Sequence, residues 1–263
     1  MPLDAPCKPT PGGYEIQCAT IPLAGTLGAT ILWGPERHRI GMSNAHVLVR
    51  PGSPVWQPRQ SAPGSRRIGV VEAVCAGKEY PDPDAYFDDG KYRSDALFDF
   101  AYFLAGDGET STEIAGGLYS GPPVVEGQEI ALPALETRAP KKGELVQWIG
   151  KSTARIQRGE IVDLDRWAFM SRHPNVIGVS GLLKIRPEGG PGENGDSGAA
   201  LVAVDDRHVV GLYCGSTADN KFEMGSRIPD DSFDLGLSVQ VSDATAAFRR
   251  KLYEADRPSC VVM

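Results

Sequence analysis

The run Glu193-Asn194-Gly195-Asp196-Ser197-Gly198-Ala199-Ala200-Leu201-Val202-Ala203-Val204 joins a glycine-rich turn to an unbroken apolar stretch. Its second half has the length and composition of a strand buried on both faces. In its first half, Gly195 and Gly198 allow backbone conformations that other residues avoid, so the amides of Gly195 and Ser197 can aim at one point. Two converging N–H donors beside a serine hydroxyl are what an oxyanion hole requires. A serine hydroxyl is a weak nucleophile at neutral pH, so Ser197 also needs a base to take its proton.

Four histidines are available. His46 follows Gly41-Met42-Ser43-Asn44-Ala45 at the end of a strand-like run, among small residues, where an imidazole can stand at a surface cleft. His38, His173 and His208 have charged or loop neighbours and no such setting. A carboxylate that orients the imidazole would complete the set. Asp99, in Phe98-Asp99-Phe100-Ala101-Tyr102-Phe103, reads as an acid inside an apolar strand, a placement that calls for a partner because an unpaired buried carboxylate is costly. Asp95, four residues earlier, is a local competitor; Asp99 is preferred because the apolar residues after it continue as a buried strand. The chain order is then His46, Asp99, Ser197, at spacings of 53 and 98 residues.

The surrounding sequence is turn-rich. Its 31 Gly and 21 Pro make up about a fifth of the 263 residues, against about an eighth on average. Short apolar bursts at Ala29-Thr30-Ile31-Leu32-Trp33, at 39–43, 68–74 and 98–104, and again at 145–149, 159–162, 181–185, 199–204, 209–214 and 235–239, read as two successive clusters of strands. The expected layout is an N-terminal arm over 1–20, a first β-barrel over 21–135 carrying His46 and Asp99, and a second over 136–263 carrying Ser197. Only the end of the chain reads as helical: Ser242 or Asp243 can cap a helix in which Val241, Ala244, Phe248 and Leu252 line one face.

At this point the sequence resembles the trypsin/chymotrypsin-like serine proteases, bacterial members above all, over most of residues 22–255. Gly25-Thr26-Leu27-Gly28-Ala29 is similar to their first strand, and Ser43-Asn44-Ala45-His46 to their histidine block. Gln147-Trp148-Ile149-Gly150-Lys151-Ser152-Thr153 with Gly159-Glu160-Ile161-Val162 is similar to the block that opens their second barrel, and Val209-Val210-Gly211-Leu212-Tyr213-Cys214-Gly215 to the strand that walls their specificity pocket. The resemblance implies an all-β fold of two antiparallel six-stranded barrels and a serine endopeptidase using a His46, Asp99, Ser197 triad. It further implies an oxyanion hole from the amides of Gly195 and Ser197, and substrate contacts from Tyr213, Cys214 and Gly215. No cysteine lies near His46 and no activation sequence of the animal digestive type is present. In bacterial relatives an Arg satisfies the buried acid before the serine; here the matching residue is Lys151, which is therefore expected to pair with Asp196 and support the oxyanion loop. Tyr213 falls where Glu-selective relatives carry a histidine, which argues against that preference. Two other readings use the same residues: a catalytically silent binding module, and an esterase-type acyl hydrolase.

Other features narrow the partners. A net charge of −7 provides no electrostatic reason to expect nucleic acid or an anionic membrane. No run of eighteen apolar residues could span a bilayer, and the opening Met-Pro-Leu-Asp lacks the apolar stretch of a secretory signal, so a cytoplasmic protein is expected. Its partners would be a protein or peptide substrate and a regulatory protein that gates it. The five cysteines are scattered, without metal-ligand spacing, and no metal or organic cofactor is expected. The Asp-rich stretch 80–95 reads as a hydrated loop rather than a calcium site, and Cys260-Val261-Val262-Met263 is a weak match to a prenylation box.

Overall fold

The computed structural model describes residues 2–33, 38–75, 79–80, 99–118, 137–172, 175–190, 192–216 and 223–226. The expected C-terminal helix, the strand at 235–239, the boundary at 135/136, Asp95, the acidic stretch 80–95 beyond Tyr80, and Cys260 lie outside the described residues.

The first half contains β1 (Thr10–Gly12), β2 (Glu15–Cys18), β3 (Gly25–Thr26), β4 (Ala29–Trp33), β5 (His38–Ser43), a single helical turn α1 (Ala45–Leu48), β6 (Pro54–Gln57), β7 (Arg66–Cys75), β8 (Glu79–Tyr80), β9 (Phe100–Ala105) and β10 (Thr110–Ile114). The second contains β11 (Leu145–Trp148), β12 (Gln157–Arg172), β13 (Asn175–Pro187), β14 (Ala200–Ala203), β15 (Val209–Ser216) and β16 (Glu223–Ser226). The fold is all-β, as expected from the alternation of short apolar runs with turn residues.

The two modules differ in closure. In the second, antiparallel pairing runs β12-β11-β14-β15-β16-β13 and returns to β12, closing a six-stranded barrel, with β8 added at the outer end of β13. The first is a curled seven-stranded sheet in the order β3-β2-β6-β7-β9-β5-β4 rather than the six-stranded barrel expected. Its two edge strands are consecutive pieces of the chain. The run 25–33 changes partner midway: Leu27 N–H donates to Tyr14 O at 2.8 Å, and Gly28 N–H donates to Met42 O at 2.9 Å. No ladder therefore joins β3 to β4, and the sheet stays a half-barrel.

The N-terminal segment is not the arm expected. β1 pairs in parallel with β10, and β2 lies between β3 and β6 with Ile16 and Cys18 fully buried. Arg66 grips this segment. Its guanidinium donates to Glu109 Oε2, Gln57 Oε1 and Thr10 Oγ1, each at 2.8 Å, and to the Cys7 carbonyl. Four residues of β2 are too few to show a period, and its partner β6 is remote in the chain, Gln17 lying opposite Trp56, so sequence pattern alone could not find it.

Each module has its own apolar core. Ile16, Leu27, Val55, Val71 and Phe103 fill the first; Val146, Trp148, Ile161, Leu183 and Leu201 fill the second. A third cluster is shared, with Ala29, Ile31, Met42 and Tyr102 meeting Ala200, Val202, Val209 and Leu212 across the junction. Burying a side chain the size of Met42 stabilises by about 1.5–3 kcal/mol, so this cluster can hold the modules in one orientation.

Two outcomes are expected. Met42→Ala should lower the unfolding free energy by about 2–5 kcal/mol in a single urea transition; two separate transitions would show that the modules unfold independently. Burial draws the Glu109 carboxyl up, but hydrogen bonds and charge from Lys8 and Arg66 leave it below its ordinary value of 4.5. A folded value below the unfolded one means that this stabilisation is complete above the ordinary value and is lost as pH falls through the folded one. Hydrogen-exchange protection of residues 7–12 should therefore decline in acid, and Glu109→Gln should remove that pH dependence.

Candidate active site

His46 is presented by the turn that ends β5. Asn44, fully buried, donates from Nδ2 to the Asp99 carbonyl at 2.9 Å, and the next residues wind into α1. Asp99 is likewise fully buried and stands immediately before β9, not inside a strand as its apolar neighbours suggested. Both of its carboxylate oxygens serve His46: Oδ1 accepts the backbone N–H at 3.1 Å and Oδ2 meets the ring Nδ1 at 2.7 Å. The second module supports the acid from behind, where the Asp99 N–H donates to Ser226 Oγ of β16 at 3.1 Å. A carboxylate only accepts, so the ring hydrogen resides on Nδ1 and the lone pair of Nε2 remains for another partner.

Ser197 occupies a loop clamped from two sides. Gly195 and Gly198 have φ of +104° and +99°, and a Cβ at Gly198 would collide with the Thr26 carbonyl and the Ser43 hydroxyl. Thr26 N–H donates to Ser197 O and Thr26 Oγ1 donates to Gly195 O, both at 2.8 Å. On the far side Gly198 N–H donates to Tyr213 O at 2.8 Å, and the Ser197 hydroxyl is directed at the Cys214 carbonyl, 3.4 Å away. Among the described residues, the N–H groups of Gly195 and Ser197 make no hydrogen bond. Both residues line the same cavity as His46, about 560 Å³ in volume, so the two donors, the hydroxyl and the imidazole share one space.

The expected pairing of Lys151 with Asp196 is not formed. Fully buried, the Asp196 carboxylate accepts from the backbone N–H groups of Ser152 at 2.9 Å, Thr153 at 3.1 Å and Glu193 at 3.0 Å, with Gln157 Nε2 at 3.5 Å. The Lys151 ammonium turns away to Glu15 Oε1 at 3.0 Å. The reason is geometric: residues 150–154 turn sharply, Ala154 N–H bonding back to Gly150 O at 2.9 Å, and this aims successive amides at the carboxylate. Such donors satisfy an anion without a counter-charge. Lys151 still touches the loop, since a Cβ on Gly195 would run into its side chain.

Tyr213, Cys214 and Gly215 lie on β15, as the strand pattern suggested. The Tyr213 ring stacks on Trp148, with centroids 5.7 Å apart and planes at 12°, and its hydroxyl is 3.4 Å from Ser216 Oγ. Gly192 rests against that hydroxyl, where a Cβ would have no room. Cys214 Sγ donates to Met224 O at 3.3 Å and the residue lines the cavity. Sequence reasoning missed Glu15, Thr26, Asn44, Arg59, Gln157 and Ser226, whose partners are remote in the chain. No local pattern marks them. Among the described residues, no group of three or more His, Cys, Asp or Glu is arranged to hold a metal ion.

No family model matches the chain, and no curated protein matches it in sequence. Solved structures do match. Protease A of Thermobifida fusca is 15% identical over 91% of this chain and 95% of its own, with a TM-score of 0.51. Nocardiopsis protease is 13% identical over 91% and 96%, with a TM-score of 0.50. A glutamic acid specific serine protease, described as using a novel histidine triad in substrate binding, is 14% identical over 90% and 97%, also with a TM-score of 0.50. The chain thus has the chymotrypsin-like fold of bacterial serine proteases, at an identity where the likeness is one of fold.

Asp196→Asn should destabilise the protein by about 2–3 kcal/mol in thermal unfolding, because an amide nitrogen would face N–H groups that now donate to oxygen. A loss well under 1 kcal/mol would mean that these bonds contribute little to the loop.

Proposed function

We propose that the protein is a serine endopeptidase. The observation that carries this reading is the two-oxygen grip of Asp99 on His46, facing a cavity that also holds the Ser197 hydroxyl and two unengaged backbone donors. Each element has a distinct task. Asp99 holds the imidazole with Nε2 toward the cavity and stabilises the cation that forms when His46 takes the serine proton. Ser197 Oγ, held at 3.4 Å by only a long bond to Cys214 O, is free to swing toward that nitrogen and attack a carbonyl carbon.

Charge then develops on the carbonyl oxygen, and the N–H groups of Gly195 and Ser197 stabilise it without having to reorganise, because Thr26, Asp196 and Gly198 already fix the loop. His46 returns its proton to the departing amine, and water releases the acyl group by the reverse sequence.

The β15 edge supports a peptide substrate. The ladder from β14 ends where Ala200 meets Leu212, and Tyr213 completes it with Ala199. Tyr213, Cys214 and Gly215 follow on the same strand, beside Ser197, with β16 on their far side. An extended peptide laid along them would gain affinity from backbone hydrogen bonds, independent of its side chains.

A fluorophosphonate probe should label the wild-type protein at Ser197 and leave Ser197→Ala unlabelled. Asp99→Asn should keep the fold and lower kcat on peptides by about 10³–10⁴-fold, as expected where the carboxylate sets the imidazole tautomer. Labelling with no cleavage of any peptide, but rapid turnover of simple esters, would replace endopeptidase by esterase. No labelling at all would leave a binding module.

A further inference from the structure

The wall of the cavity opposite Cys214 carries positive charge. Ser197 is held between two sides of the cleft, its hydroxyl toward Cys214 O and its carbonyl toward Thr26 N–H. On the Thr26 side the cavity is lined by residues 21–25, Arg59 and Lys151. These two cations differ in what already faces them. Lys151 is paired at 3.0 Å with Glu15, whose side chain is only 1% exposed. The other oxygen of Glu15 accepts the backbone N–H of Arg59 at 3.1 Å, which fixes the main chain from which the Arg59 side chain projects. Glu15 therefore neutralises Lys151 and anchors Arg59 without touching its guanidinium. Among the described residues, the Arg59 guanidinium has no ion pair or hydrogen bond, and the residue is exposed.

A local excess of positive charge runs against the average of a chain whose net charge is −7. It also lies on one side only of the candidate nucleophile. If the acyl half of a substrate lies along Tyr213, Cys214 and Gly215 of β15, its leaving-group half must continue over the opposite wall, toward residues 21–25 and Arg59.

Resting on the endopeptidase reading above, we infer that Arg59 recognises a carboxylate on the leaving-group side of the substrate, within the first few residues after the bond that is cut. A planar guanidinium matches a carboxylate with two parallel N–H donors, which a lysine ammonium cannot do. Glu15 and Lys151 hold the base of this subsite, and Leu23, 74% exposed, offers an apolar rim beside it. The carboxylate has two sources, an Asp or Glu side chain or the free end of a short leaving segment.

The test uses wild-type protein, Arg59→Gln and Arg59→Glu on a proteome-derived peptide library prepared in two forms, with free and with amidated C-termini, and sequences the new N-termini. Thermal unfolding shows that each variant is folded. The expected result is an enrichment of Asp and Glu of about threefold at one of the first positions after the cut, smaller at high salt, lost in Arg59→Gln and turned toward Lys and Arg in Arg59→Glu. If the source is instead the chain end, wild-type cuts cluster near C-termini of the free-acid library, and both amidation and Arg59→Gln abolish the clustering. Cleavage with no acidic or C-terminal preference, or with one that Arg59→Gln leaves intact, overturns the inference while leaving the endopeptidase reading standing. Failure of the wild-type protein to react with a fluorophosphonate, which has no leaving peptide, removes that reading itself.

Discussion

The close approach of two glycine-containing backbone segments, residues 25–28 and 195–198, sets the geometry of the whole cleft. Gly28 packs directly against the Gly198 carbonyl and the Leu212 side chain, with no space for a Cβ. Thr26 bonds through its N–H to Ser197 O and through its hydroxyl to Gly195 O, while Ser43 Oγ donates to Thr26 O at 2.8 Å. This contact joins the strand pair that leads to His46 to the loop that carries Ser197. A side chain at either glycine would push the modules apart by about the width of a methyl group, and reacting groups must be placed far more closely than that.

Three buried carboxylates surround the same cleft, and each is satisfied differently. Asp99 has a backbone amide and an imidazole, Asp196 has three backbone amides and Gln157, and Glu15 has an amide and the Lys151 ammonium. Taking any of them out of water is costly unless such partners are in place. Their partners come from segments distant in sequence, so the acids tie the cleft together as well as shaping it. Asp196 in particular gains stability from dipoles rather than from a counter-ion, and this leaves Lys151 for Glu15.

Much of the site could be read along the chain because its chemistry depends on local backbone shape. Gly195 and Gly198 flank Ser197 in a turn only glycine enters easily, and Asp99 stands out as an acid among aromatic residues. Arg66, Glu15 and Ser226 were illegible for the opposite reason. Each is an ordinary polar residue whose role comes from a partner brought near by folding, as when Arg66 reaches back to Thr10, 56 positions earlier. β2 and β16, at four residues each, are likewise too short for a period and are strands only because neighbours pair with them.

By itself, the sequence determined the β-rich character of the protein and its two strand clusters, and it singled out Asp99, His46 and Ser197. Those follow from alternation, turn chemistry and the cost of burying charge, all of which act over a few residues. Only the tertiary structure decided that one module closes into a barrel while the other remains a curled sheet, that Lys151 serves Glu15 instead of Asp196, and that the Arg59 guanidinium, among the described residues, stands without an ion pair on one side of the cleft. Those outcomes depend on which groups arrive within hydrogen-bonding distance once the chain is packed, and distance through space is not written in distance along the chain.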